Sequence, residues 1–427
     1  MIAPFPDQAV ETPRSKRSRQ HRQGSGRIVA SAIAIALSLL VVGCSSDEST
    51  TEAATKQDSA SETTKTSAEA TSEPDTKVVA PEAVGPYKVG RRTISMNDTA
   101  RGRVLDVDIW YPVNQETTGT PTRYSFLASM LPTLFFDSTV ALDSPPIQPG
   151  EQFPMVVYSH GSGGFRWVAA YFTEVLASHG FVVVAADHGG NTAVDGFLKT
   201  QTTRDQTAVN RVGDVRFVVD QMLAMNAEDG GPFLGSIDEE KIGISGHSFG
   251  GFTAIAARTG FSNSLGTVPP DPRIKAVALM APATELLDED RLKALDVPTL
   301  TITGTKDITT SIDENVERLW ELGMARPFYR IDLQDAAHQT FTDVCFYQQE
   351  LPKIEAVPQA LTDLVAEKAT EACAPGLLDV PKGQAIANTF IVSFFETELA
   401  GTTDYETVLT AEGASAIPEA KFSIKEK

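Results

Sequence analysis

One hydroxyl in this chain stands where a nucleophile could be made. The stretch KIGISGHSFGG (241–251) places Gly246-His247-Ser248-Phe249-Gly250 after a β-rich run and before the helical pattern FTAIAAR. G-x-S-x-G at a strand-to-helix junction demands a turn so tight that its flanks must lack side chains, and it pushes the serine outward on a strained backbone. A serine hydroxyl attacks only when a base takes its proton, and the base needs an acid to fix its tautomer. Behind such an elbow the chain order is serine, acid, histidine. Only His338, in QDAAHQTF, follows Ser248. The acid is less forced. Asp307 stands just beyond the strand-like PTLTITGT and is favoured, with Asp335 behind it. Asp332 falls inside a strand pattern and Asp343 follows the histidine loop. Anionic intermediates need N–H donors. The glycine-rich HGSGGFRW (160–167) ends another apolar run, so the two expected donors are the backbone amides of Ser162 and Phe249. His160, His188 and His247 read as packed supports, and His179 as a helix-end residue.

The elements that must hold these groups are legible as alternating β-branched runs and helical stripes, the pattern of a mostly parallel sheet with helices on both faces. RVLDVDIWYPV (103–113) reads as an early antiparallel strand. Parallel strands follow at 153–160, 181–188, 241–247, 274–282, 298–305 and 327–333. Helical spacing marks 167–179, 205–225 and 386–399. The apolar YSFLASMLPTLFFDSTV (124–140) reads as core, or as a lid or wall beside the site. Phe165 and Trp167, next to the oxyanion loop, are candidate substrate contacts. Arg204 pairs with a carboxylate or meets a substrate anion, the former being the expected role.

Lys and Arg number 36 against 56 Asp and Glu, a net charge of −20. Six basic and only two acidic residues sit in 1–43, so the rest is more acidic still. Such a surface repels polyanions and argues against nucleic acid as a partner. Basic residues 14–27 precede the apolar run 28–42, which is too short to span a bilayer comfortably. The order Val41-Val42-Gly43-Cys44 resembles the lipobox of bacterial lipoprotein signal peptides. The resemblance implies a signal peptide over 1–43, a lipid on Cys44, export, and membrane anchorage in the cell envelope. Residues 44–83, rich in Ser, Thr and Glu, read as a disordered tether, 84–400 as the folded domain and 401–427 as a polar tail.

Four stretches together resemble a known family: DIWYP (108–112), SHGSGGFR with LASHGFVVVAADH (159–166, 176–188), GHSFGG (246–251) and HQTFTD (338–343). They are similar to α/β-hydrolases of the platelet-activating factor acetylhydrolase (plasma, isoform II) and dienelactone-hydrolase-like group. The resemblance implies a mostly parallel eight-stranded sheet and a serine carboxylic-ester hydrolase of short-acyl esters. It works through an acyl-enzyme, with Ser248, Asp307 and His338 as triad and no metal or cofactor. The partner is then a small-molecule or lipid ester. The sequence departs from the acetylhydrolases in one respect: IKAVALMAP, the strand after the elbow, holds no carboxylate. Dienelactone and polyester hydrolases place the acid one strand later, where Asp307 stands; dienelactone hydrolases proper use a cysteine nucleophile where this chain has Ser248. Alternatives are a lipase, polyesterase or acyltransferase on the same triad, or a non-catalytic surface binding protein on a hydrolase scaffold. Three cysteines are present, with no CxxC pair for a structural zinc. Export would favour a disulfide between Cys345 and Cys373. It would close a loop of about 29 residues just beyond His338 and stabilise by roughly 3–4 kcal/mol.

Overall fold

The computed structural model describes residues 78–126 and 130–426. The lipobox-like segment, Cys44 and the tether up to residue 77 lie outside the described residues. The strands are β1 (Lys88–Asp98), β2 (Arg103–Val113), β3 (Pro121–Ser125), β4 (Phe135–Asp143), β5 (Phe153–Ser159), β6 (Val182–Ala186), β7 (Ile237–His247), β8 (Phe261–Asn263), β9 (Gly266–Val268), β10 (Ile274–Met280), β11 (Thr299–Gly304), β12 (Phe328–Leu333) and β13 (Ala420–Lys425). The helices are α1 (Ala170–Ser178), α2 (Ala193–Leu198), α3 (Arg204–Asn226), α4 (Phe249–Thr259), α5 (Glu289–Lys293), α6 (Glu317–Leu322), α7 (Val344–Glu350), α8 (Gln359–Ala369), α9 (Val380–Phe395) and α10 (Ala411–Ala414).

Eleven strands form one sheet in the order β13-β12-β11-β10-β7-β5-β6-β2-β1-β4-β3; β8 and β9 form a separate hairpin. Six strands in the middle, β6, β5, β7, β10, β11 and β12, run parallel. Every residue of β5 is buried, as a strand covered on both faces requires. Its side chains alternate between two cores. Val156 and Tyr158 pack with Phe172 and Leu176 of α1 and Phe390 of α9. Met155 and Val157 pack with Val212 and Val219 of α3 and Phe252 of α4. This is the layered α/β-hydrolase fold, with helices on both faces.

The sheet is larger than the expected eight strands, and the extra ones lie at its two ends. β1 escaped because Arg91 and Arg92 interrupt its apolar pattern. Arg91 is nonetheless buried, paired with Asp108 at 2.5 Å and facing the Tyr124 ring. Nor is the C-terminal segment a loose tail: β13 pairs antiparallel with all of β12, from Phe328↔Lys425 to Leu333↔Ala420. In AKFSIK the alternating Phe422 and Ile424 turn onto the core, while on the other face Lys421 is exposed and Lys425 lies over the Trp320 ring and donates to Trp320 O. At the other end, packing starts before residue 84. Val79 O accepts from Tyr405 (2.9 Å) and Ala83 O lies 3.0 Å from His179 Nε2. His179 does end α1.

Removal of 419–427 should therefore cost about 2–4 kcal/mol, the burial of Phe422 and Ile424, and expose β12 as a sticky edge. Urea melts and light scattering of the truncated chain test this; an unchanged midpoint would contradict the packing described.

Candidate active site

β7 ends at His247 and α4 begins at Phe249, so one residue makes the reversal. That residue, Ser248, has φ 57° and ψ −120°, outside the regions L-residues ordinarily occupy. Its neighbours explain the glycines. A Cβ on Gly246 would lie 2.2 Å from Gly250 O, and one on Gly250 would lie 1.8 Å from Ser159 O. The strained residue is held from three sides: its N–H donates to Met280 O (3.0 Å), and its carbonyl accepts from Gly251 (2.8 Å) and Ala283 (3.0 Å).

His338 arrives from the short 3₁₀ turn after β12. Its Nε2 lies 2.9 Å from Ser248 Oγ and its Nδ1 2.8 Å from Asp307 Oδ2. Asp307 follows β11, and its other oxygen accepts from the Thr309 and Thr310 amides (2.9 and 2.7 Å). Burial works to raise the Asp307 pKa. The hydrogen bond and charge of His338 and the bonds from Thr310 outweigh it and hold the carboxyl below its ordinary value. The ionised acid fixes the proton of His338 on Nδ1, leaving Nε2 to accept from the serine. The Thr310 hydroxyl lies within hydrogen-bond distance of His338 Nδ1, Asp307 Oδ2 and Ala281 O. Thus β10, β11 and β12 converge on one imidazole.

The other acids considered lie elsewhere. Asp335 occupies a left-handed turn position (φ 58°). Asp332 pairs with Arg330 at 2.8 Å, and Asp343 accepts from the Ala170 N–H at 2.7 Å.

Ser162 follows β5, and Phe249 is the first residue of α4, whose N–H has no intrahelical acceptor. No hydrogen bond engages either amide among the described residues. The Ser162 loop is braced from behind: Asn191 Nδ2 donates to Ser162 Oγ (3.0 Å), and Asn191 O accepts from Gly163 N (3.1 Å). Arg211, wholly buried on α3, donates to Asn191 Oδ1 (2.7 Å) and to His160 O.

A cavity of about 390 Å³ opens onto Ser248 and His338. Phe165 and Trp167 line it, as does the 124–140 segment through Phe126, Leu134 and Phe136. The described residues of that segment include the end of β3 and most of β4, strands that extend the sheet. Arg166 does not face it; its guanidinium bonds Asp108 (3.0 Å) and Asp187. Arg204 meets Glu285. Absent from the sequence reading were Thr309, Gln339, Tyr347, and Leu361, Leu364, Val365 and Lys368 of α8, all on the cavity wall. The i, i+3, i+4, i+7 spacing on α8 was visible in the sequence; what it faced was not.

The histidines read as supports are supports. His247 packs against the His338 ring (4.7 Å) and donates from Nε2 to His338 O (2.9 Å). Burial, then the neighbouring His338, pushes its pKa down to about 3. His188 is pushed down to about 4 by burial and Arg211, while burial also lowers His160 and His179. Cys345 and Cys373 are joined by a disulfide.

The family described as platelet-activating factor acetylhydrolase, isoform II matches residues 71–214, and the PET hydrolase-like family matches 146–345. The platelet-activating factor acetylhydrolase of Cavia porcellus is 25% identical over 325 residues, covering 62% of this chain and 69% of that protein. That of Bos taurus is 29% identical over 231 residues, covering 41% of this chain and 51% of its own. That of Canis lupus familiaris is 26% identical over 231 residues, 42% and 51%. The chain thus spans about half the length of the bovine and canine proteins.

Four histidines kept neutral by burial protonate when the chain unfolds, so stability is lost as pH falls below about 6.5. Each contributes up to about 1.4 kcal/mol per pH unit, down to about 4 for His188 and about 3 for His247. Two carboxyls raised by burial to about 7, Asp343 and Glu396, work the other way, being protonated in the fold before they are in the unfolded chain. Glu174 and Asp187, also raised by burial, act in the same sense as these two carboxyls. Relative to the wild type, His247→Gln should lose less melting temperature between pH 6.5 and 4.5, and Asp343→Asn more; melts across the range read both.

With the fold, the cavity and these matches together, the chain has the α/β-hydrolase fold and is similar to the platelet-activating factor acetylhydrolase and PET hydrolase-like families, both families of ester hydrolases.

Proposed function

We propose that Ser248 is the nucleophile, His338 the general base and acid, and Asp307 the group that orients it, in hydrolysis of short-acyl esters through an acyl-enzyme. The observation that carries this is the unbroken relay Asp307–His338–Ser248, at 2.8 and 2.9 Å, opening on a largely apolar cavity. Ser248 Oγ adds to the ester carbonyl carbon as its proton passes to His338 Nε2. The carbonyl oxygen, now anionic, is met by the amides of Ser162 and Phe249, each such donor supplying a few kcal/mol. Collapse breaks the bond to the alkoxy oxygen, which takes the proton from His338. Water then repeats the sequence on the acyl-serine, its proton going to Nε2 and returning to Ser248 as the acid leaves. Short-acyl preference rests on likeness to proteins named acetylhydrolases. The PET hydrolase-like match supports a second reading, an esterase of larger or polymeric esters.

We also propose export and lipid anchorage at Cys44, with the membrane as partner, supported by the order of basic, apolar and VVGC segments. The disulfide agrees with an oxidising compartment.

Ser248→Ala should abolish p-nitrophenyl acetate hydrolysis and labelling by a fluorophosphonate probe, with the melting temperature kept. Asp307→Asn should lower kcat by about 10³–10⁴. A variant of either kind near the wild-type rate would remove that residue from the mechanism, and an unlabelled wild type would favour the binding-protein alternative. Anchorage predicts that protein from an exporting bacterial host partitions into detergent and that Cys44→Ser does not.

A further inference from the structure

The segment closed by the Cys345–Cys373 disulfide lies where the PET hydrolase-like match ends. It folds as α7, a 3₁₀ turn and α8, and leans over the cavity. In an eleven-residue helix, Leu361, Leu364, Val365 and Lys368 fall on one face, and all four line the cavity. Such a stripe is what a helix ordinarily buries in a core. Here only Leu361 is buried in the core, while Leu364 and Val365 are half-buried and line the cavity beside the nucleophile. Tyr347 and Leu351 continue the same wall. The exposed head of Lys368 ends it.

The wall is also fastened to the reacting groups. Glu371 accepts from the Thr309 hydroxyl (2.6 Å) with its carboxylate and from the Gln339 N–H (3.1 Å) with its carbonyl. Thr309 adjoins the loop that holds Asp307, and Gln339 follows His338. Two residues on, Cys373 closes the disulfide to α7. On the opposite side, the Phe136 ring from β4 meets Phe346 and Tyr347 of α7 at 5.2 and 5.5 Å.

We propose that this disulfide-closed insert is the binding wall for an unbranched apolar arm of the ester, and that the inward face of α8 sets which arm lengths are used. This rests on the serine-hydrolase reading above. At about 390 Å³ the cavity is in the range that holds a drug-sized ligand, well beyond what an acetyl group fills. An alkyl arm laid along Leu364 and Val365, beside the buried Leu361, would cover apolar surface that the fold leaves half-exposed. The arm belongs to the alcohol, which keeps the short-acyl preference proposed above, or to the acid, which replaces that preference and leaves the triad in place; two substrate series separate these. One is p-nitrophenyl esters from acetate to dodecanoate; the other is alkyl acetates from methyl to decyl.

For the purified full chain, kcat/KM in one series should rise by up to about fourfold per added methylene, then level off when the cavity is full. The eight-carbon member should exceed the two-carbon member at least tenfold. Leu364→Trp, which fills the cavity, should lower that ratio at least tenfold. Ala366→Trp, the same bulk on the solvent side of α8, should leave the ratio at its wild-type value. Cys345→Ser with Cys373→Ser should lower the ratio as well, by releasing the wall. The inference is overturned if both series are flat, if Leu364→Trp leaves the ratio alone, or if Ala366→Trp shifts it equally. If no ester is turned over, or Ser248→Ala is as active as wild type, the serine-hydrolase reading itself fails. Flat series with a Ser248-dependent rate defeat the binding wall alone.

Discussion

At the top of the sheet the backbone of α4 lies against the end of β5 with no room between them. A side chain on Gly250 would stand 1.8 Å from Ser159 O. β5 and β7 are adjacent parallel strands, so this contact ties the loop leaving one to the helix leaving the other. The loop leaving β5 carries Ser162, and the turn leaving β7 carries Ser248. Neither can shift without the other, which keeps an anion-binding amide and a nucleophile in fixed relation. The arrangement continues sideways. Ser248 N–H is bound to β10 through Met280 O, and Ala281 O reaches Thr310 beside Asp307. A backbone such as that of Ser248 costs of order 1–3 kcal/mol. The buried α3 and α4 faces beneath it supply the compensation, because a helix packed as α4 is cannot retreat to relieve the turn.

A second serine, histidine and aspartate in this protein show what the relay alone does not provide. Ser159 Oγ lies 3.0 Å from His188 Nε2, and His188 Nδ1 lies 3.0 Å from Asp214 Oδ2. These distances nearly match those of the relay at Ser248. Yet Ser159 is fully buried inside β5, and Arg211 also donates to its oxygen (3.1 Å). Burial would raise the Asp214 pKa, but bonds from His188 and Arg103 and their charge hold it at about 2. The result is a closed, buried network behind the oxyanion loop that Arg211 also grips at His160 O. It stiffens β5 at the end that matters. Hydrogen-bond geometry is shared by the two sets; a wall of open space and uncommitted amides beside the oxygen are not.

The parallel strands, the long helices and the Ser248–His338 juxtaposition were readable because each is written in local pattern or in obligatory chain order. β5 is seven consecutive buried residues, and only one histidine follows the elbow. What escaped was written in contacts. Arg91 hides β1, since a guanidinium reads as surface until Asp108 and Tyr124 are seen around it. β13 is short and lysine-rich, and its strand character comes from pairing with β12 far away in sequence. Asp307 and Asp335 both follow strands; Asp307 stood out by its place at the strand's carboxyl edge and by the acid placement of the resembling hydrolases. The left-handed turn at Asp335, forced by the reversal after β12, is a three-dimensional fact.

The insert after His338 presents a separate physical problem. Tyr347, Leu351 and Leu361 join it to the main core, and a small cluster of Cys345, Ala369 and Ala372 with the flanking Val344 and Val380 adds to this. Leu364 and Val365 of α8 are only half-buried beside the cavity, so that face contributes less to holding the insert than a fully buried one would. A segment arranged in this way needs fastening that does not use that face. The disulfide supplies one part by limiting the unfolded freedom of the loop. The Glu371 bonds to Thr309 and Gln339 supply another, at the two loops that position Asp307 and His338. Had the insert evolved only to stabilise the fold, the cheaper solution would bury Leu364 and Val365 as fully as Leu361. Their orientation toward Ser248, with polar and covalent ties carrying the structural load, is what a wall built for contact with a ligand requires.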